Sequence, residues 1–259
     1  MRDWRSFYCR RPLVIAHRGA SGSAPENTMA AFRAAVAAGA DGIELDVTRC
    51  ASGEIVVIHD ATVDRTTDGS GAIAELSLRA LRNLDAGAWY SPEFAGERVP
   101  LLAEVLDELG ASLRVNIEIK GRELRGEGIE REIAAMVCGR GLQERVLISS
   151  FNLAALRRME AAAPDLQRGL LFASSAAAPL AWAWARRWAG AHALHPSAAG
   201  LDDAWVARAQ RRGYRVNVWT VNDPAVMRHL VVAGVDGVIT DHPARLRAVI
   251  DQLGKGKDG

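Results

Sequence analysis

The sequence predicts a (β/α)8 barrel, an α/β fold in which strands and helices alternate along one chain. Three observations lead there. Eight short runs rich in Val, Ile and Leu recur along the 259 residues. Ala-, Leu- and Arg-rich stretches of helical period lie between most of them, as in "NTMAAFRAAVAAG" and "DDAWVARAQRRG". Glycines at 39, 141, 213 and 234 stand where a helix ends before the next run, as left-handed caps do. Strands alternating with helices imply a parallel sheet. Eight such units at this length fit one closed barrel, with chemistry at the C-terminal ends of the strands. An open doubly wound sheet is the runner-up, but no GxGxxG follows the first run.

The eight runs, in order, are 13–17, 42–47, 114–120, 145–151, 167–172, 191–196, 214–221 and 236–243. One segment breaks the rhythm. After the second run comes an extra strand, 55–60, then a Gly/Thr/Asp-rich turn in which Asp64 and Asp68 read as turn formers. A helix from about Leu101 to Leu109 follows. We read 61–95 as an insertion over the active face, 10–252 as a single barrel domain, and 253–259 as a polar tail.

Composition narrows the class of protein. About half the residues are apolar, enough for a large core, and the formal net charge of +1 gives no nucleic-acid footprint. Cys9, Cys50 and Cys138 are far apart, without a CxxC pair, which fits a reducing compartment. The N-terminal stretch "MRDWRSFYCRRPLVIAHRG" reads as lacking a signal peptide, because its apolar run is short and leads into a polar motif. The uncharged run Gly169–Ala185 holds Ser174, Ser175 and Pro179, so it reads as no membrane span. The expected location is cytoplasmic. Trp182, Trp184 and Trp188 share one expected helix and read as packing or a homo-oligomer contact before a membrane-surface patch.

The strand ends carry the chemistry. Alternate side chains of a strand face one side. In "GIELDV", Glu44 and Asp46 therefore point together, opposite Ile43, Leu45 and Val47. In "VNIEIK", Asn116, Glu118 and Lys120 share a face. With the apolar faces on the helices, three carboxylates and a lysine point into the barrel mouth. Carboxylates so placed need cations to stay ionised in a low-dielectric site. A hard divalent ion, Mg²⁺ or Ca²⁺, suits an all-oxygen set. Lone ion pairs on a solvated edge are the plainer reading of Glu44 and Asp46 alone. His17 and Arg18 at one strand end, and His59 at another, argue against it.

These residues also carry a resemblance. "AHRGASGSAPENTMAAF", "GADGIELDV", "IVVIHDATVDRTTDGSG", "NIEIK", "WTVND" and "GVITDHP" resemble, in order and spacing, the motifs of the glycerophosphodiester phosphodiesterase family, over roughly residues 12–245. The resemblance implies a (β/α)8 TIM barrel with a small insertion after the second strand. It implies hydrolysis of glycerophosphodiesters to sn-glycerol 3-phosphate and an alcohol, with one divalent cation. Carried over by position, Glu44, Asp46 and Glu118 would hold the metal, His17 and His59 would be the acid–base pair, and Arg18 and Lys120 would bind phosphate. Three carboxylates, the ion, a phosphodiester and the two basic residues would balance in charge. Glu26 is expected to support the site and Asn27 to cap the first helix. Phe151 and Trp219 stand as an apolar pocket wall, with ordinary barrel packing the other reading of Trp219. His195 reads as core before leaving-group contact; His192, His229 and His242 read as structural. A lysophospholipase D or a phosphatidylinositol-cleaving relative, and a non-catalytic phosphodiester-binding barrel, are the alternatives.

Overall fold

Eight parallel strands close on themselves, and a ninth runs antiparallel at the rim. The computed structural model describes residues 7–8, 12–121, 128–173, 187–199 and 201–255. Its strands are β1 (Leu13–His17), β2 (Gly42–Arg49), β3 (Ile55–Val57), β4 (Arg114–Ile119), β5 (Val146–Ser150), β6 (Gln167–Phe172), β7 (Ala193–Pro196), β8 (Arg215–Val218) and β9 (Gly237–Thr240). All eight expected runs become barrel strands, and β1 closes the ring by pairing with both β9 and β2. The extra strand is β3, which turns back on the end of β2.

Alternation decides which way each strand faces. Ile43, Leu45 and Val47 of β2, and Val115, Ile117 and Ile119 of β4, are buried in the main core beneath the helices. Phe32 and Leu106 meet them from the helices Met29–Ala37 and Leu102–Leu109. The residues between them face inward. Strand register then sets their neighbours: His17 pairs with Glu44 across β1–β2, and Asp46 with Glu118 across β2–β4. The glycine caps are as expected, with φ of 71°, 68°, 81° and 77° at Gly39, Gly141, Gly213 and Gly234.

The first helix corrects one expectation. Its N-cap is Thr28, whose hydroxyl accepts from the Ala31 amide at 3.2 Å, and not Asn27. A capping residue needs extended backbone. Thr28 has it (φ −113°, ψ 162°), whereas Asn27 is left-handed at φ 56°. Its side chain is engaged elsewhere, as described below.

The segment between β3 and the helix Leu102–Leu109 is mostly turns around one short α-helix, Leu78–Asn83, and two single-turn 3₁₀ helices, Ile73–Glu75 and Pro92–Phe94. It has its own small core, including Ile58, Val63, Ile73 and Leu81. Asp64 accepts from the Gly71 amide and Asp68 from the Asp85 amide, so both tie turns. Trp182 and Trp184 lie outside the described residues, while Trp188 is 53% exposed. Among the described residues no helix is long and apolar enough to cross a membrane.

Phe7 and Tyr8 plug the N-terminal end of the barrel, packed with Leu13, Ile15 and Ile239. Arg114 donates to the Phe7 carbonyl, Arg215 lies 5.4 Å from the Tyr8 ring centre, and Asn217 donates to the Tyr8 hydroxyl at 2.8 Å. Phe7 is 1% exposed. Truncating such a ring leaves a cavity, so Phe7→Ala should lower stability by about 3–5 kcal/mol. A denaturant midpoint unchanged from the parent would show that the plug contributes nothing.

Candidate active site

At the opposite end, the inward residues of β2 and β4 converge. Carboxylate oxygens of Glu44, Asp46 and Glu118 lie within 4.8 Å of one another. All three residues are buried, at 4%, 1% and 8% exposure. Burial, with Asp46 and Glu118 close by, holds the Glu44 carboxyl well above the usual range. Burial and Asp46 likewise push Glu118 up to about 7. Burial would raise Asp46 too, but Lys120, Arg18 and His59 outweigh it and hold Asp46 below its ordinary value. Three buried carboxylates, two of which resist ionising, fit a hard divalent cation. An oxygen-only donor set disfavours zinc or copper.

Two cations line the cluster. Lys120 Nζ donates to Asp46 Oδ1 at 2.8 Å and to Glu118 Oε1 at 2.7 Å. Arg18 places Nε 3.3 Å from Asp46 Oδ2 and donates from Nη1 to Glu26 Oε1 at 2.8 Å. Its backbone N–H donates to Glu44 Oε2 at 3.2 Å. To do so the chain turns sharply after β1, with Arg18 at φ 54° and Gly19 at φ 84°. A Cβ on Gly19 would meet the Ala31 backbone at 2.7 Å, so only glycine fits there. The left-handed Arg18 is a locally strained residue of the kind that collects at functional sites. Asn27, expected from the sequence as the N-cap, instead donates from Nδ2 to Asp46 Oδ2 at 2.9 Å and so orients that carboxylate.

His17 and His59 each lean on an aspartate that sequence reasoning did not assign. His17 Nδ1 lies 2.7 Å from Asp241 Oδ1, and His59 Nδ1 lies 2.6 Å from Asp60 Oδ1. Asp241 is held at about 2 despite its burial, by hydrogen bonds from His17, Asn222 and Ser21. Asp60 is also at about 2, chiefly through Arg65 and then His59. Ionised carboxylates only accept, so each Nδ1 carries the proton. Each Nε2 is then left for the site. Burial lowers His59 below the ordinary histidine value against the pull of Asp46 and Asp60. A signal for Asp241 was present in "GVITDHP" and for Asp60 in "IHD"; both follow strands whose ends already looked functional.

The remaining candidates separate. Phe151 is 51% exposed and meets Trp219 edge to face, ring centres 5.6 Å apart, just beyond β5 and β8. Trp219 is fixed by its indole N–H on the His195 carbonyl at 2.7 Å. His195 itself is fully buried beside Asn217, with its ring nitrogen pushed down to about 3, and belongs to the barrel interior. His192 accepts from the Arg168 amide, and His229 pairs with Asp203 on the surface. Glu26 supports Arg18 as expected, and also accepts both Nη groups of Arg65.

Fold and site together place the chain among (β/α)8-barrel enzymes that work at the C-terminal mouth of the barrel. Residues 17–245 match the Glycerophosphoryl diester phosphodiesterase family, and the chain belongs to it. A glycerophosphodiester phosphodiesterase of Caldanaerobacter subterraneus subsp. tengcongensis is 44% identical over 237 residues, covering 91% of this chain and 96% of its own. An Oleispira antarctica phosphodiesterase, solved in complex with the product sn-glycerol-3-phosphate, is 35% identical. It superposes with a TM-score of 0.81 over 93% of this chain and 97% of its own. A glycerophosphodiester phosphodiesterase from Agrobacterium tumefaciens is 31% identical, with a TM-score of 0.79 over 90% and 98% of the two chains.

Proposed function

We propose that the protein hydrolyses glycerophosphodiesters to sn-glycerol 3-phosphate and an alcohol, by acid–base catalysis between His17 and His59 beside a divalent cation. The observation that carries this reading is the pairing of a buried carboxylate triad with two histidines, each held by an ionised aspartate. The product bound by the Oleispira antarctica relative supports the same substrate class. Free thiols on Cys50 and Cys138 are consistent with the cytoplasmic location expected from the sequence.

Glu44, Asp46 and Glu118 would hold the Mg²⁺ or Ca²⁺. Once bound, that ion supplies charge stabilisation at the phosphoryl oxygens. Arg18 presents a planar fork and Lys120 a point charge to the phosphate. The glycerol 2-hydroxyl sits close to phosphorus within the substrate itself, so its attack has the proximity advantage of an intramolecular reaction. We assign His59 as base: kept neutral by burial, its Nε2 accepts the hydroxyl proton. The new P–O bond forms as the bond to the alcohol breaks, and His17, entering this step with both ring nitrogens protonated and Nδ1 on Asp241, gives that alcohol its Nε2 proton. Water then opens the cyclic phosphate with the histidine roles reversed. Phe151 and Trp219 would wall the apolar side of the pocket.

Arg18 offers a direct check. An ammonium cannot reproduce its fork or hold Glu26 and phosphate together. Arg18→Lys should lower kcat/KM by about 10²-fold, within the range for a charged group that stabilises the transition state. Parent-like kinetics in Arg18→Lys would place phosphate elsewhere. The reading as a whole is tested by one panel. Glycerophosphocholine, glycerophosphoethanolamine and a lysophospholipid are each assayed with Mg²⁺, Ca²⁺ or chelator. Metal-dependent release of sn-glycerol 3-phosphate from the first two is expected. Turnover of the lysophospholipid alone would favour the lipid-cleaving alternative, and binding without turnover would favour a non-catalytic barrel.

A further inference from the structure

Arg65 lies in the turn after β3, and neither strand alternation nor a strand end marks it. Its three nitrogens divide between two carboxylates. Nε donates to Asp60 Oδ2 at 2.6 Å, while Nη1 and Nη2 grip Glu26 at 2.8 Å each. The second oxygen of Asp60 holds His59 Nδ1 at 2.6 Å. Glu26 Oε1 also accepts from Arg18 Nη1 at 2.8 Å. One guanidinium thus joins the carboxylate that orients His59 to the carboxylate that orients Arg18.

We infer that Arg65 is a positioning residue, setting the His59 imidazole and the Arg18 guanidinium in register with each other across the phosphate site. The inference rests on the reading above, in which both act at phosphorus. His59 and Arg18 leave different strand ends, β3 and β1, each paired with β2, and Arg65 adds a direct side-chain tie between the carboxylates that hold them. An imidazole is oriented by its carboxylate only as well as that carboxylate is itself held. A planar fork with donors on two edges can hold two carboxylates at once; a lysine ammonium is a point charge and cannot hold this geometry.

A surface ion pair that merely staples the loop is the plain alternative. Arg65 is 46% exposed, Asp60 30% and Glu26 14% in their side chains. Exposed pairs contribute little to stability. The two readings therefore part: a staple changes folding slightly and turnover hardly at all, whereas a positioning residue changes turnover and leaves folding nearly intact.

The test uses the whole protein with Mg²⁺ and glycerophosphocholine. Arg65→Ala and Arg65→Gln should each lower kcat by roughly 10²-fold while KM stays within about threefold, as a misplaced reacting group does. Free guanidinium at millimolar concentration should restore part of the activity of Arg65→Ala. In ¹⁵N-labelled protein, the His59 Nδ1 proton resonance, assigned with a His59→Gln variant, should shift in both Arg65 variants. A kcat within about threefold of the parent in either folded variant would overturn the inference. So would a loss that tracks lowered melting temperature, is unanswered by guanidinium and leaves the His59 resonance in place. A parent enzyme inactive on every diester would instead overturn the proposed function, and the His59 resonance would still test the Arg65 link.

Discussion

Excess chelator is expected to abolish turnover, and Glu44→Gln or Asp46→Asn to lower kcat by about 10³-fold or more, the several kcal/mol that a Lewis-acid cation supplies. The physical reason is a charge imbalance. Lys120 and Arg18 face three buried carboxylates, and burial together with the neighbouring carboxylates makes Glu44 and Glu118 resist ionising. The same imbalance predicts the metal-free pH dependence. Both glutamates have folded values above their unfolded ones, so the folded state binds those protons more tightly. The contribution of Glu118 to stability is full below about 4.5 and is lost as pH rises through about 7, and Glu44, held well above its ordinary value, acts in the same direction. Asp46, held low, acts oppositely, and its contribution is lost only as pH falls below its ordinary 3.8. Thermal melts in chelator should therefore weaken between about pH 5 and pH 7, following the glutamates. Glu44→Gln should melt higher than the parent at neutral pH in chelator, and added Mg²⁺ or Ca²⁺ should stabilise the parent more than the variant. Full activity in excess chelator, or melts indifferent to both pH and metal, would remove the cation from the site.

A 2-deoxy glycerophosphodiester should bind almost normally and react very slowly. On the proposed reading its phosphate would still meet the cation, Arg18 and Lys120, so the ground state would lose little. It lacks the attacking oxygen, and effective molarities for such neighbours are on the order of 10⁵ M or more. His59→Ala and His17→Ala should each cost roughly 10²–10⁴-fold in kcat. Together they should cost less than the product, because one proton inventory would pass through both on the proposed reading. A nitrophenol leaving group needs little protonation, so it should partly rescue His17→Ala but not His59→Ala. The reverse pattern would exchange the two roles. Normal cleavage of the deoxy substrate would replace the cyclic route with direct attack by water.

The residue order alone was enough for the barrel and for much of the site. Period two in "GIELDV" and "NIEIK" forces Glu44, Asp46 and Glu118 to one face, because neighbouring apolar residues must be buried under helices. All eight barrel strands follow from the same local alternation, and the helix-ending glycines from backbone sterics. Local rules reach only local neighbours, however. Asp241 lies 224 residues from His17 in the chain, and Arg65 lies 39 from Glu26; closure of the ring and the fold of the loop bring them together. Asn27 shows the limit most plainly. As a residue before a helix it reads as a cap, yet a left-handed backbone turns its amide onto Asp46 and leaves capping to Thr28. Which groups sit at the strand ends follows from residue order, since side-chain direction along a strand is a local property. Local pairs such as His59–Asp60 and Lys120–Glu118 lie close together in the chain, but the partners of His17, Asn27 and Arg65 follow from loop geometry and strand register between distant segments.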